Sequence, residues 1–579
     1  MLSSTHAQPA VLSSALLLLT AVSFAQTTAS PSLDELNQMA SRFAPTPLEI
    51  PTDALSAGDK KALMKLIQAA RVVNQLFMQQ FWSGDLALYD KLQQDKSALG
   101  HARLHYFWIN KGPWSEIDQH KAFLPGVPAT KPAGANFYPE DMTKEEFETW
   151  LATLPADQKE AATGFFTVIR RGEDRKLKIV PYSVEYRDDI RRAAKMLRDA
   201  AELTDNATLK TFLTKRAEAF LNNDYFASDM AWMDLDAPLD VTIGPYETYN
   251  DEIFGYKAAF EAYINIRDDQ ATQRLSFLSS ELQQIENNLP EDPQYRVARL
   301  GASAPIRVVN EVFAAGDGAH GVQTAAYNLP NDDRVVQQKG SKRVMLKNVQ
   351  QAKFKATLVP ISKIALPAAA QADVDFDLFF LHIIAHELTH GLGPHQITLN
   401  GRATNPRLEL KDVYGSIEEA KADITGLFAL QYLMSQADAG TIQTPLPHGP
   451  EAERRLYTTY LASSFRTLRF GLQDAHAKGQ AMQFNYLLDK GAYIANADGT
   501  FSIDFTKIKG AIAALDHDLL TLEATGDHDG AKQMLEKLSN IRPEVQRALD
   551  RMKSLPTDIE PIFVTANKLT GETSVGEGR

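Results

Sequence analysis

The segment DVDFDLFFLHIIAHELTHGLGPH, residues 373–395, does more than any other to restrict what this chain can fold into. Phe376, Phe379, Phe380, Ile383, Ile384 and Leu388 recur at helical spacing, which predicts a helix with a buried face, stopped by Gly391 and Gly393-Pro394. At about 100° per residue, His386 and His390 fall within roughly 40° of each other around the axis and one turn apart. Two imidazoles on so apolar a helix are costly to bury unless something satisfies both, and a single divalent ion reached by the pair does so. Glu387 stands beside that clamp, where its carboxylate polarises a water molecule instead of binding the metal. HExxH is the signature of zinc metallopeptidases for this reason.

Zinc needs a third protein ligand and an open fourth position. The chain has no cysteine, so its ligands come from His, Asp and Glu. YGSIEEAKADITGLFALQYLM supplies candidates: Ile417, Ala420, Ile424, Leu427 and Phe428 define the apolar face of a second helix. On it, Glu419 is placed to ligate one Zn2+ per chain, while Asp423 one turn on accepts the other N–H of a histidine. Ser416 and Glu419 also read as a capping box, in which case Glu418 competes as the ligand; otherwise Glu418 supports the ligands from behind or is solvated.

With these residues in view, the chain resembles the dipeptidyl peptidase III family of zinc exopeptidases. Members typically carry one extra residue before the second histidine, followed by an E-E-C-R-A-E/D-like helix. Here the motif is the shorter HELTH, similar to a bacterial subgroup, and the helix reads Glu418-Glu419-Ala420-Lys421-Ala422-Asp423. GPYETYNDEIFGYKAAFEAYI is similar to the family's G-x-x-E-T/S-Y-x-D segment. Asn328-Leu329-Pro330-Asn331-Asp332, with Gly340 and Lys342, looks like its N-x-P-N strand. By that likeness Asn328 and Asn331 bind the substrate backbone, whereas residue type alone makes them turn asparagines. HAKGQAMQFNYLLDKGAY resembles the helix bearing a catalytic-site histidine, which implies that His476 stabilises the oxyanion or holds substrate; a polar-face histidine is the plain alternative. Gln480 and Asn485 stand where the family has arginines, and Thr242 where it has a tyrosine.

The likeness spans about residues 200–550. It implies an α+β, predominantly α-helical protein of two lobes with a cleft. The zinc site would lie on two helices of the helical upper lobe, above a smaller, mixed, β-containing lower lobe. It also implies hydrolysis of short peptides with dipeptides leaving from the N-terminus, Glu387 taking a proton from the attacking water and returning one to the leaving amine. An aminopeptidase or endopeptidase uses the same residues; a non-catalytic zinc-containing peptide-binding protein would have no need of Glu387.

The remaining readings are coarser. The apolar run from Ala10 to Phe24, followed by Ala25, resembles a signal peptide cleaved after Ala25, so export to the periplasm or medium is expected, with no stable membrane insertion afterwards. Residues 26–55, with Pro45, Pro47 and Pro51, predict a linker. A mainly helical N-terminal lobe is expected over 56–274, the helical zinc lobe over 275–311 and 358–570, and a β-containing segment of the lower lobe over 312–357. The net charge of −13 is spread along the chain, which argues against nucleic acid as a partner and for simple colloidal solubility; the partners expected are short peptides, and the chain is expected to be a monomer or weak homodimer.

Overall fold

The computed structural model describes residues 30–300 and 305–571. The signal segment read in residues 1–25 lies outside them. The chain builds two lobes, each around its own apolar core. The first core includes Leu66, Phe77, Leu197, Ile243, Phe260, Phe313 and Ile559. The second includes Leu278, Phe380, Ile384, Ile417, Leu427, Phe465 and Leu515.

The predicted linker is structured. Helix α1, Leu33–Ala40, starts on a capping box in which the Ser32 hydroxyl accepts from the Glu35 amide and the Glu35 carboxylate accepts from the Ser32 amide. Strand β1, Phe43–Leu48, carries Pro45 and Pro47, which a strand tolerates when one of its sides has no ladder partner. A long helix, α2, Ala57–Phe81, follows with its N-terminus capped by Ser56. It buries Leu66, Val73 and Phe77 against helix α3, Arg187–Leu203, and against the sheet.

The sheet has five strands: β2 Leu239–Pro245, β3 Phe260–Arg267, β4 Ile306–Gly316, β5 Ala326–Leu329 and β6 Lys342–Leu346, in the order β2-β3-β4-β6-β5. Only the β4–β6 pair is parallel. The sheet therefore begins well upstream of residue 312, within the stretch expected to be helical. Phe260, Tyr263 and Ile264 are spaced as well for a helix as for a strand, and β2 is buried along its whole length, so periodicity alone does not separate the two. Downstream, residues 320–325 and Lys347–Lys353 are not strands, the latter being helical.

The second lobe is helical. Helix α4, Phe376–Thr389, carries the histidines; α5, Tyr414–Asp438, the acidic residues; α6, Pro450–Leu468, and α7, Ala475–Asp489, complete the wall around them. GPHQITLNGRATNP and ADGTFSID each form the core of a short two-stranded hairpin. The final strand β7, Asp558–Phe563, leaves this lobe and pairs in parallel with β1, so the C-terminal stretch belongs to the first core and not to the zinc lobe as expected.

Candidate metal centre

Asp375 caps α4 by accepting from the Leu378 amide at 3.0 Å, and the helix runs unbroken through His386 to its end at Thr389. Helix α5 crosses it at Gly426, where an added Cβ would lie 3.0 Å from the His386 amide nitrogen. Helix α7 packs on α5 at Gly479 in the same way, a Cβ there meeting the Ser416 carbonyl oxygen at 2.9 Å. Two glycines thus let three helices approach closely enough to bring His386, Glu419 and His476 together. Helix α5 begins at Tyr414 after Val413, with no side-chain cap, so Ser416 and Glu419 form no capping box and Glu419 is free to face α4.

His386 Nε2 and His390 Nε2 lie 3.2 Å apart; Glu419 Oε2 is 3.3 Å from the first and 3.7 Å from the second. Tetrahedral ligands about 2.0–2.1 Å from one ion sit about 3.3 Å from each other, so these three atoms have the spacing of three corners of such a site. Glu419 Oε2 is buried and faced only by the ring nitrogens of His386, His390 and His476 at 3.1–3.7 Å, a cluster of donor atoms turned on one point that a cation satisfies. From behind, His386 Nδ1 is 2.8 Å from Asp423 Oδ1 and His390 Nδ1 is 2.7 Å from Glu418 Oε1, which leaves each Nε2 to point at the common centre. Glu418 is therefore not at the centre; it is also held by Lys421 Nζ at 3.0 Å.

His476 Nε2 approaches Glu419 Oε2 to 3.1 Å, so His386, Glu419 and His476 form a second candidate triad. The side chain of His476 is 63% exposed, and no described carboxylate braces its other ring nitrogen, whereas that of His390 is 29% exposed and fixed at Nδ1. His390 is the better built ligand and His476 stands beside the centre. Counting protein groups alone, burial disfavours the His386 imidazolium, but Asp423 and Glu419 outweigh it and raise its pKa to about 10. Burial opposes ionisation of Glu419, yet hydrogen bonding to His386 and His476 holds its pKa below the usual carboxylate range. The surroundings favour positive charge at this point, which a divalent metal supplies.

Glu387 does not join the triad. Arg343 on β6 reaches across from the first lobe, its Nη1 donating to the Glu387 carbonyl oxygen at 3.0 Å and lying 3.2 Å from Glu387 Oε2. Sequence reasoning missed Arg343, which carries no motif and acquires its role only through the pairing of β6 with β4. It also passed over His382, one turn before His386, whose Nε2 lies 2.9 Å from the Asp423 carbonyl oxygen.

Asn328 is exposed on β5, opposite Arg343, and Asn331 follows that strand, its Nδ2 donating to the Tyr246 carbonyl at 2.9 Å. Both lie on the first lobe, away from the triad itself. Thr242 is buried in β2, bonded to Trp232 Nε1 and the Tyr327 hydroxyl, so it is no cleft residue; Tyr249 of the same segment is 79% exposed and lines a cavity of about 370 Å³. Glu116, Glu247, Glu261 and Asp317 line it too. Burial raises the pKa of Asp317 and of Glu116 to about 7, and burial followed by repulsion from Asp317 and Glu247 lifts that of Glu261 well above its ordinary value. Gln480 lies behind His476, donating to Ser464 Oγ at 3.1 Å, and Asn485 is buried in structural bonds to the carbonyls of Leu538 and Asn540.

Comparison with known proteins decides the family. The structure of dipeptidyl-peptidase III from Corallococcus sp. strain EGB is 51% identical, with 94% of this chain and 99% of that one covered at a TM-score of 0.74. The structure of DPP III from Caldithrix abyssi is 44% identical, covering 92% of this chain and all of that one at a TM-score of 0.86. The chain belongs to the dipeptidyl-peptidase III family. Residues 140–400 also match the family model of peptidase family M49, a stretch that includes the histidine helix and stops before Glu419. An Arabidopsis thaliana protein named Nudix hydrolase 3 is 43% identical over 92% of this chain and 74% of its own length. That name denotes another hydrolase chemistry, and a quarter of that protein lies outside the match. As a member of the dipeptidyl-peptidase III family, the chain is a metallopeptidase acting on peptides, an α+β protein of two lobes.

Proposed function

We propose that the protein is a zinc dipeptidyl peptidase, with His386, His390 and Glu419 as metal ligands, Glu418 and Asp423 orienting the histidines, and Glu387 as general base. The observation that carries this reading is the convergence of two Nε2 atoms and Glu419 Oε2 at 3.2–3.7 Å. Zinc bound there supplies a Lewis acid that polarises a carbonyl and lowers the pKa of a water molecule toward about 7. Glu387, next to His386 and outside the ligand set, takes the proton of the attacking water and returns one to the leaving amine. Its carboxylate is oriented by Arg343. His476, beside Glu419 and partly exposed, donates toward the carbonyl oxygen as charge develops on it.

Release of dipeptides from the free N-terminus is supported by the acidic cavity along β5. Five acidic side chains, Glu116, Glu247, Glu252, Glu261 and Asp317, gathered in a half-enclosed space favour an ammonium group. β5 is an edge strand whose outer side has no partner among the described residues, so an extended peptide can pair with it, and Asn328 and Asn331 lie at that edge.

The test is zinc stoichiometry together with product analysis of a defined pentapeptide. One zinc per chain and a dipeptide plus a tripeptide are expected. Glu387→Gln should keep the metal and lose roughly 10²–10⁴-fold in kcat. Full activity in that variant with metal retained would falsify the assignment of the base.

A further inference from the structure

A second cavity, of about 220 Å³, is lined by His386, Glu387 and His476 at the metal centre together with Arg466, Lys353 and Gln480. Arg466 stands in the last turn of α6, stacked 5.6 Å from the centroid of Phe379, and its Nε is buried without a hydrogen-bond partner. Arg454 and Arg455 of the same helix each hold an aspartate, Asp373 at 2.8 Å and Asp375 at 3.0 Å. Among the described residues no such ion pair engages Arg466.

The anions nearest to it are committed elsewhere. Asp423 accepts from His386 and, through Oδ2, from Gln483 Nε2 at 3.1 Å. Asp558 is held by Lys353 Nζ at 2.9 Å and by the Gln323 amide at 2.7 Å. Glu387 is held by Arg343. Arg466 is half-buried, with its Nε out of water and no counter-ion on the guanidinium, so its open edge beside the catalytic centre is placed to receive an anion during work.

The two cavities adjoin along β5: Ala325 lines the one with Arg466, Ala326 and Tyr327 the acidic one. Charge changes sign along the path of a bound peptide, negative where its ammonium end would lie and positive past the metal. A short zwitterionic peptide has the same polarity.

We propose that Arg466 binds the C-terminal carboxylate of short peptide substrates, making this cavity a carboxylate subsite on the leaving-amine side of the scissile bond. The proposal rests on the N-terminal cleavage reading above. It implies a preference for peptides short enough to fill both cavities at once.

The experiment compares peptides of three to six residues with their C-terminal amides on the zinc-loaded enzyme and on Arg466→Met and Arg466→Lys. At the best length the free acid should exceed the amide by roughly ten- to hundred-fold in kcat/KM, the range for one hydrogen-bonded charge pair. The ratio should fall toward one in Arg466→Met and recover in part in Arg466→Lys. A ratio near one at every length in the unsubstituted enzyme overturns the proposal without any variant having to fold, as does an undiminished ratio in a folded Arg466→Met. Product analysis keeps the two readings apart. If cleavage does not release dipeptides, the function proposed above fails, and calorimetric binding of the acid and amide peptides to Glu387→Gln holoenzyme then decides the subsite, equal affinity overturning it.

Discussion

Asp423 and Glu418 lie outside the triad proposed to hold the metal, yet each sits against the Nδ1 of a histidine whose Nε2 faces that triad. Removing the charge while keeping the shape, as in Asp423→Asn or Glu418→Gln, should weaken metal binding 10–100-fold, measurable by competition with a chromophoric chelator. Glu419→Gln should cost more than either, since its Oε2 is itself a corner of the triad. In the acidic cavity the sign runs the other way from an ordinary ion pair. Folding raises the pKa of Asp317 to about 7, so the folded state is favoured while that group is protonated and loses that advantage as pH climbs from the usual carboxylate range through about 7. A bound peptide ammonium offsets the loss, and a peptide with a free N-terminus should therefore raise the melting temperature more at pH 8 than at pH 6; an equal rise would remove the cavity from the binding path. At this scale the sequence was informative where spacing encodes geometry. HELTH and the Glu419/Asp423 pair could be read because one helical turn fixes which side chains share a face. Arg343 and Arg466 could not, since nothing local distinguishes an arginine that will face a cleft from one that will face water, nor does local sequence tell that Thr242, standing where the family has a tyrosine, is buried in β2.

Between elements, the site depends on how closely α4, α5 and α7 pack. Gly426→Ala places a Cβ 3.0 Å from the His386 nitrogen and 3.3 Å from the Ala385 carbonyl carbon, both backbone atoms that cannot rotate away. The helices must part by a few tenths of an ångström, and a loss of about 1–3 kcal/mol in stability is expected, with weaker metal retention as a second sign. Gly426→Val should be worse in both, as denaturant titration and metal analysis will show; retention of both in Gly426→Val would mean that close packing at the crossing does not hold the site together. The helices themselves were legible from apolar stripes. Strands β2 and β3 are not, because buried strands lose the alternation that marks a half-exposed one, and β1 reads as a linker because its prolines are punctuation in most contexts and admissible on an edge. Pairing partners hundreds of residues away settle such cases, and no window along the chain contains them.

Across the molecule, the groups proposed to work come from both lobes: the candidate metal donors from the second, the edge strand, acidic cavity and Arg343 from the first. Arg343→Met should leave the fold and the metal in place while lowering kcat, because Glu387 loses its partner across the cleft; a change in KM alone would assign Arg343 to substrate binding instead. The Corallococcus structure superposes less well than that from Caldithrix although it is more identical in sequence, so overall arrangement in this family does not follow identity. Small-angle scattering of Glu387→Gln holoenzyme should show a more compact particle once peptide is added, if both cavities close on one ligand. The pairing of β1 with β7 has a further consequence for assembly. During synthesis the N-terminal lobe has its hydrophobic interior nearly complete while one piece of it, Ile559 and Phe563, is still uncoded chain behind the whole of the other lobe. It must wait for the ribosome to finish, and a stop codon placed just before Asp558 should unravel the part of the molecule that was made first.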